Sequence, residues 1–335
     1  MNKNFLVVGT GLSGAVIARC LADKGNKITI IDKREHLGGN CYDFLNEHNI
    51  LVHKYGPHLF HTSNFEVVDW LSRFTEWVPY QHKVKAMLKD STLVTLPVNA
   101  ETARIVGKEN VIDIFFRPYT KKMWGLDIEQ LDSSILKRVP IREDENELYF
   151  PNDNFQAMPK YGYTKLFEEI LNHKNITIHL KTNFKDFDRQ SYDHIFNSMP
   201  IDEYFEWCYG RLPYRSMKFH TSTVQVPKLF PVTTVNFTHD GPFTRITEWK
   251  NISNAMTFHP SAYVTSVTVE EPCEGTEFNE PYYPVKDIKG ENRALFDRYQ
   301  QLVPSNMTFI GRCGTYSYID MDKAVALALD IAKRF

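Results

Sequence analysis

Two arginines in this sequence are placed where they could bind an anionic ligand. Arg138 lies in the segment 134–140, and Arg245 lies in an alternating, strand-like segment at 243–248, where a lone charge is less expected than on a helix. The planar guanidinium group makes bidentate contacts with phosphate, so both side chains are candidate partners of a diphosphate. Taken singly, each arginine is more often a solvated or salt-bridged surface residue.

The segment 115–125 is the densest aromatic cluster of the chain. Aromatic and polar residues recur there at helical spacing and suit a nucleobase and a sugar, which need stacking and hydrogen bonds together. An ordinary core stripe is the alternative, but Lys side chains and a proline are mixed into it. The candidate ligand-binding residues are Phe115, Phe116, Tyr119, Thr120 and Trp124.

A glycine-rich turn near the start of the chain indicates a dinucleotide site. An apolar strand at 5–8 runs into G-x-G-x-x-G, then into a helical pattern and a second strand that ends in Asp32. In such a unit the glycines permit the turn, the approach of a pyrophosphate and close helix packing, and the acid holds a ribose hydroxyl. The helix N-terminus adds free N–H groups and a positive dipole end. The predicted cofactor contacts of this unit are Gly9, Gly11, Leu12, Ser13, Gly14 and Asp32.

A second glycine pair favours FAD over NAD. Gly38 and Gly39 follow shortly after Asp32 and would bring more bare backbone to the diphosphate, as an extended FAD requires. A flexible surface loop is the alternative. The contacts predicted from this segment are Lys33, Gly38, Gly39 and Asn40.

Two further groups of residues lie where a flavin and a substrate should meet. His58 and His61 stand three apart after a strand-like segment, and we favour His58 as the histidine that contacts the flavin. Tyr318 immediately precedes the last predicted helix, whose N-terminus should point at the far end of the cofactor. Asp320 either touches the ligands there or caps that helix.

Composition excludes several classes of protein. The chain has 335 residues, 42% of them hydrophobic, and a formal charge of −2, so no general attraction to nucleic acid or a membrane is expected. It has no apolar run long enough to span a bilayer, and the first strand begins too early for a signal peptide. The five cysteines are scattered without metal-ligand spacing. We therefore expect a cytoplasmic, metal-free enzyme.

The motifs, taken together, resemble those of the UDP-galactopyranose mutase family over nearly the whole chain. The matching segments, in order, are GTGLSGAV, HLGGN, YGPHLFHT, YTKKMWG, SSILKRVP, NFQAMPKYGYT, YGRLPYR, FTRITEWK, PYYPV and GRCGTYSYIDMD. The resemblance implies an isomerase for cell-surface polysaccharide synthesis that interconverts UDP-galactopyranose and UDP-galactofuranose. In that family, reduced FAD is the nucleophile, and flavin N5 forms a covalent adduct with the sugar as UDP leaves.

The resemblance also implies an α/β fold of three parts and a homodimer. A discontinuous FAD-binding Rossmann domain is expected at 1–62, about 185–212 and 300–335. A helical insertion domain is expected at about 100–140 with about 64–75. An antiparallel β-sheet domain is expected at about 76–99, 141–184 and 213–299.

Site residues follow from the matched positions. Arg138 matches the family's mobile-loop arginine and Arg245 its fixed one, and His58 matches the histidine beside the flavin. Tyr119 matches the residue that stacks on uracil, with Phe115, Phe116 and Thr120 around it, and Trp124 matches a loop tryptophan. Tyr149, Tyr283 and Tyr318 match tyrosines that contact the diphosphate. Arg312, Asp320 and Met321 match positions beside the flavin and in the active site.

One departure from the family pattern leaves the substrate open. Only fifteen residues separate Asn99 from Phe115, where the family usually has a much longer helical stretch. The missing part belongs near the subunit contact and the nucleotide pocket. UDP-N-acetylgalactopyranose and dTDP-fucopyranose are therefore alternative substrates, and an FAD-dependent oxidoreductase of the amine oxidase or desaturase type is the alternative enzyme class.

Overall fold

The cofactor unit predicted from the glycine turn forms the centre of a parallel sheet. A computed structural model of the chain describes residues 2–130, 141–189, 191–275, 280–285, 287 and 289–335. Its five-stranded parallel sheet has the spatial order Ile176–His179, Lys27–Ile31, Asn4–Val8, His194–Asn197 and Met307–Phe309. The carboxyl ends of these strands meet at one edge, which is where ligands of doubly wound sheets bind.

Helices cover both faces of this sheet. Leu12–Asp23, Gly162–Leu171 and Met321–Lys333 contribute to one apolar core, while Ile201–Tyr204 and Glu291–Gln300 contribute to the core on the other side. Three short helices lie elsewhere: Ala100–Val106, Arg117–Trp124 and Gly311–Gly314.

A second, larger sheet is mostly antiparallel. Its seven strands have the spatial order Tyr283–Pro284, Tyr214–Val224, Thr265–Glu274, Arg245–Glu248, Thr234–Phe237, Val84–Met87 and Leu93–Leu96. One neighbouring pair, Thr234–Phe237 with Val84–Met87, is parallel, so the sheet is mixed. Two small sheets join the main ones, one of Phe60–Thr62, Phe155–Pro159 and Trp77–Pro79, the other of Asp43–Leu45 and Leu51–His53.

Two assignments made from sequence order are corrected by these contacts. The segment 162–179 was grouped with the antiparallel sheet, but its strand is the edge of the parallel sheet and its helix packs Phe167 and Ile170 into the core around the first helix. The helix Phe65–Ser72 was grouped with the insertion at 100–140, but it packs against the last helix. In both cases an apolar face decided the partner, which the position in the sequence did not reveal.

Candidate active site

The fourteen residues predicted to contact a cofactor line one cleft of about 270 Å³ at the carboxyl edge of the parallel sheet. The glycine turn forms its floor and the N-terminus of Met321–Lys333 opens onto it through Asp320 and Met321. His58 and Arg312 also line this cleft. The cleft therefore combines backbone without side chains, a helix N-terminus, and the side chains of His58 and Arg312 from other segments of the chain.

The glycines of this cleft serve different purposes. Gly9 has φ +99°, and a Cβ on Gly14 would lie 1.9 Å from the carbonyl oxygen of Gly9, so both are required by the protein itself. Gly11 has φ −69°, and a Cβ there would meet nothing closer than Gly39 Cα at 3.9 Å. Neither backbone nor packing requires glycine at position 11. A ligand that must come close to the backbone would require glycine at this position, because any side chain would stand in its way. The cleft therefore fits a dinucleotide.

Asp32 ties the two cofactor loops together. Its Oδ2 accepts hydrogen bonds from the backbone N–H and the hydroxyl of Thr10, and its Oδ1 accepts one from the N–H of Arg34. A carboxylate offers about four lone-pair positions, so one remains for a ribose hydroxyl. The backbone N–H of Gly38 also donates to the Thr10 carbonyl, which places the second glycine pair beside the first.

Arg245 lies on the larger sheet, directly opposite Glu270 in the register of two antiparallel strands. Its Nε is 2.8 Å from Glu270 Oε2; the arginine side chain is 28% exposed and that of Glu270 only 3%. Burial disfavours the charge on Arg245, but Glu270, Tyr119 and Tyr283 outweigh it and raise the pKa of the guanidinium. The cation is thus permanent, and part of it faces open space.

A second half-buried arginine, Arg312, lies beside several phenol rings. The guanidinium of Arg312 lies 4.9 Å from the ring centre of Tyr318 and 5.2 Å from that of Tyr283, and donates to the Ile319 carbonyl. Those two rings are stacked, with centres 5.2 Å apart. Trp124 contacts Tyr283 edge-on, with ring centres 6.3 Å apart. Phenols and cations therefore share one wall, which suits phosphate oxygens.

His58 joins the dinucleotide cleft to this wall. Its ring Nδ1 lies 3.0 Å from the carbonyl oxygen of Gly56, which assigns a proton to Nδ1 and leaves Nε2 as an acceptor. Burial lowers its pKa to about 4, and the nearby charges of Arg312 and Arg245 act in the same direction. His58 is therefore a neutral imidazole, close enough to both arginines for their charges to act on its ring. His61 lies apart from the cleft and places Nδ1 2.6 Å from Asp153 Oδ2.

The helix Arg117–Trp124 is fixed to the larger sheet from its C-terminal end. Arg215 Nε donates to the carbonyl oxygen of Met123 at 2.8 Å, and its Nη2 donates to that of Lys122. Lys122 Nζ in turn donates to the carbonyl of Phe237 at 3.0 Å. These cations satisfy carbonyls that a helix end and a strand end leave free, and so hold Tyr119 near Arg245.

Comparison with known proteins identifies the family to which this chain belongs. The family model "GLF: UDP-galactopyranose mutase" matches residues 114–318, and an "NAD(P)-binding Rossmann-like domain" model matches residues 7–74. The chain belongs to the UDP-galactopyranose mutase family. The family is one of isomerases, so the protein is a sugar-nucleotide mutase by class, as the motif series predicted.

Individual relatives agree over the full length. A Klebsiella pneumoniae protein described as "Probable UDP-galactopyranose mutase" is 38% identical, with 100% of this chain and 95% of the relative covered. An Escherichia coli dTDP-fucopyranose mutase is 34% identical, over 100% of this chain and 98% of the relative. The solved structure of a reduced UDP-galactopyranose mutase superposes with a TM-score of 0.77 at 17% identity, covering 100% and 94%; at that identity it shows the fold.

This mutase chain is shorter than its relatives. The alignment with the Klebsiella protein spans 374 positions, 39 more than the 335 residues of this chain. Among the described residues, no helix is long and apolar enough to cross a membrane, and no cluster of three or more metal-ligating side chains occurs.

The predicted aromatic residues of the mutase site fall into two environments. Tyr119 and Trp124 pack with Met123 and Tyr283 near Arg245, and Thr120 is buried on the same helix. Phe115 instead packs into the apolar core beneath the helix, with Phe116 and Tyr149 at its margin. That packing accounts for Phe115 without a ligand.

Some predicted residues cannot be placed and others were missed. Arg138 lies outside the described residues. Asp320 occupies the N-cap position of the last helix without a side-chain hydrogen bond to it. The cleft also contains residues that sequence reasoning missed: 182–184, 198–200, Glu203 and 280–281. The first two groups follow the ends of parallel strands, which is a signal the sequence carried.

Proposed function

We propose that this protein is an FAD-dependent mutase that interconverts the pyranose and furanose forms of a sugar nucleotide, with UDP-galactopyranose as substrate. The observation that carries the proposal is the convergence of Arg245, Arg312 and a wall of phenols beside a dinucleotide cleft. His58 lines the dinucleotide cleft and the charges of both arginines act on its ring, which supports treating the two regions as one site.

The residues present can hold FAD. Gly11 and Gly39 leave room for the diphosphate, Asp32 keeps one lone-pair position for ribose, and the N-terminus of the last helix faces the cleft. When bound and reduced, the flavin would supply a nucleophilic nitrogen for the anomeric carbon. His58, neutral and protonated on Nδ1, presents Nε2 as an acceptor toward that region.

The arginines and tyrosines act on the nucleotide. As the bond between sugar and diphosphate breaks, negative charge grows on the departing phosphate, and preorganised cations stabilise that charge most effectively in a buried site. We assign this role to Arg245 and Arg138, with the hydroxyls of Tyr119, Tyr149, Tyr283 and Tyr318 as further donors. Trp124, Thr120, Phe115 and Phe116 would enclose the base.

One incubation tests the proposal against an oxidoreductase. Protein reduced with dithionite is mixed anaerobically with UDP-galactofuranose, and the products are separated by chromatography. Conversion to UDP-galactopyranose without consumption of an oxidant is expected. Substrate oxidation, or no isomerisation of UDP-galactofuranose, dTDP-fucofuranose or UDP-N-acetylgalactofuranose, would contradict it. Turnover of the second sugar nucleotide alone would favour the dTDP-fucopyranose reading, for which a relative is named.

A further inference from the structure

Glu270 is a buried carboxylate in the candidate site that the proposed chemistry does not use. It is 2% exposed and lies across the strand pair from Arg245, with Oε2 2.8 Å from Arg245 Nε. Its second oxygen, Oε1, accepts no hydrogen bond from any described residue. A structural carboxylate would be expected to have both oxygens satisfied.

The neighbouring buried glutamate shows the difference. Glu248 lies in the adjacent strand of the same sheet and is fully buried, and it accepts hydrogen bonds from the backbone of Leu229 and Phe230 and from Thr265 and Asn251. Glu248 therefore holds a loop in place. Among the residues that the structure describes, Arg245 is the charged partner of Glu270 at close range, so the role of Glu270 concerns that arginine.

Gly56 packs closely against both Glu270 and Phe219. It has φ +80°, and a Cβ there would lie 2.9 Å from Phe219 Cε1 and 3.0 Å from Glu270 Oε1. The same glycine precedes Pro57 and His58, the histidine on the cofactor wall. A side chain at position 56 would therefore crowd the Glu270 carboxylate as well as the Phe219 ring, and its backbone conformation is one that other residues rarely adopt.

The relative exposure of Glu270 and Arg245 indicates what Glu270 does. Arg245 lies between the carboxylate and open space, because 28% of its side chain is exposed against 3% for Glu270. Without a ligand, an uncompensated buried guanidinium would be costly, and the carboxylate offsets that cost. Once a diphosphate contacts Arg245 from the open side, the same carboxylate is a like charge behind it and weakens the attraction.

We propose that Glu270 is the counter-charge that limits how tightly the site holds the nucleotide diphosphate, so that product can leave. The inference rests on the proposed function, since it assumes a sugar-nucleotide ligand at Arg245. It predicts that removing the charge of Glu270 strengthens nucleotide binding, whereas a residue that merely orients Arg245 would weaken binding when removed.

The test is the equilibrium dissociation constant of UDP, measured by titration calorimetry on the cofactor-loaded protein. Glu270→Gln keeps the shape and removes the charge, and we expect its Kd to be about tenfold lower than that of the unmodified protein, with a parallel fall in KM. Glu270→Asp keeps the charge and should bind UDP within about threefold of the unmodified protein. Glu271→Gln, one residue along and facing Lys218 and His220, is the matched control and should leave the Kd unchanged.

Each result decides the question. Unchanged or weaker UDP binding by Glu270→Gln overturns the proposal, and so does equal tightening by Glu270→Asp. If Glu270→Gln does not fold, as judged by the spectrum of bound cofactor, Glu270→Asn replaces it with the same expected tightening of UDP binding. If neither variant folds, the carboxylate is structural and the proposal also fails. Binding is measured without turnover, so a failure here is distinct from a failure to isomerise sugar nucleotides.

Discussion

Gly11 and Gly39 lie side by side in the lining of the candidate cofactor cleft, so closely that a Cβ on Gly39 would lie 3.0 Å from Gly11 Cα. Gly39 has φ +55° and belongs to the second glycine pair, while Gly11 belongs to the first turn. The two loops together leave a strip of backbone without side chains. A diphosphate needs such a strip in order to reach backbone N–H groups.

Alanine at two glycines of the turn should separate cofactor binding from folding. Gly11→Ala should leave the thermal stability of the cofactor-free protein nearly unchanged, because the new methyl group meets nothing closer than 3.9 Å. It should lower FAD affinity at least tenfold, because the methyl group stands where the diphosphate would lie. Gly14→Ala should give little folded protein, since its Cβ would lie 1.9 Å from the Gly9 carbonyl oxygen. Released flavin and thermal denaturation measure both effects; normal FAD content in Gly11→Ala would contradict the cleft assignment.

Removing either candidate diphosphate arginine should slow turnover. Arg245→Ala and Arg138→Ala should each lower kcat/KM about 100-fold, on the order of 3 kcal/mol of transition-state stabilisation. Lysine should recover little at either position, because a point charge cannot replace the planar fork. Steady-state kinetics with flavin content matched is the measurement. Arg104→Ala is the control, because Arg104 is exposed and forms an ion pair with the exposed Glu145. Near-normal turnover in both test variants would make these arginines ordinary surface charges.

Arg215 should affect substrate binding without touching substrate. Arg215→Met removes the donors to the carbonyls of Met123 and Lys122 but keeps the apolar stem. Losing a charge-assisted helix cap costs about 1.5–3 kcal/mol, so the helix that carries Tyr119 should loosen, and KM should rise about tenfold. Arg215→Lys should recover part of this effect, since a cation still favours a helix C-terminus. An unchanged KM with an unchanged melting temperature would show that the helix is held by other contacts.

Buried histidines should make the protein sensitive to acid. Burial lowers the pKa of His53 and of His82 to about 3, against about 6.5 in an unfolded chain. The neutral rings therefore contribute stability above pH 6.5 that is lost as the pH falls toward 3. The free energy of unfolding should fall by about 1.4 kcal/mol per pH unit for each such histidine between pH 6 and 4.

Urea titrations between pH 4 and 7 measure this slope. His53→Asn keeps an acceptor for the N–H of His58 and should reduce the slope by one proton. His259→Asn is the matched control, because His259 is exposed and has φ +51°, which asparagine tolerates. Equal slopes for His53→Asn and the unmodified protein would show that His53 does not contribute.

The sequence by itself determined the features that depend on local backbone chemistry. The strand, glycine turn, helix and acid of the cofactor unit were predicted in register, because a G-x-G-x-x-G turn constrains φ and close packing within a few residues. A last helix was predicted to follow Tyr318 and is observed at Met321–Lys333. The motif series also gave the family, which the comparisons confirm.

Only the tertiary structure decided which distant residues meet. An alternating pattern shows that Arg245 shares a face with Thr247, but strand register across the chain brings Glu270 opposite it. Likewise, Phe115 follows the same helical spacing as Tyr119, yet one packs into a core and the other faces Arg245. Periodicity determines which residues share one face of a helix or strand. The residues that this face contacts depend on burial and strand pairing with distant parts of the chain, and a local sequence pattern does not contain that information.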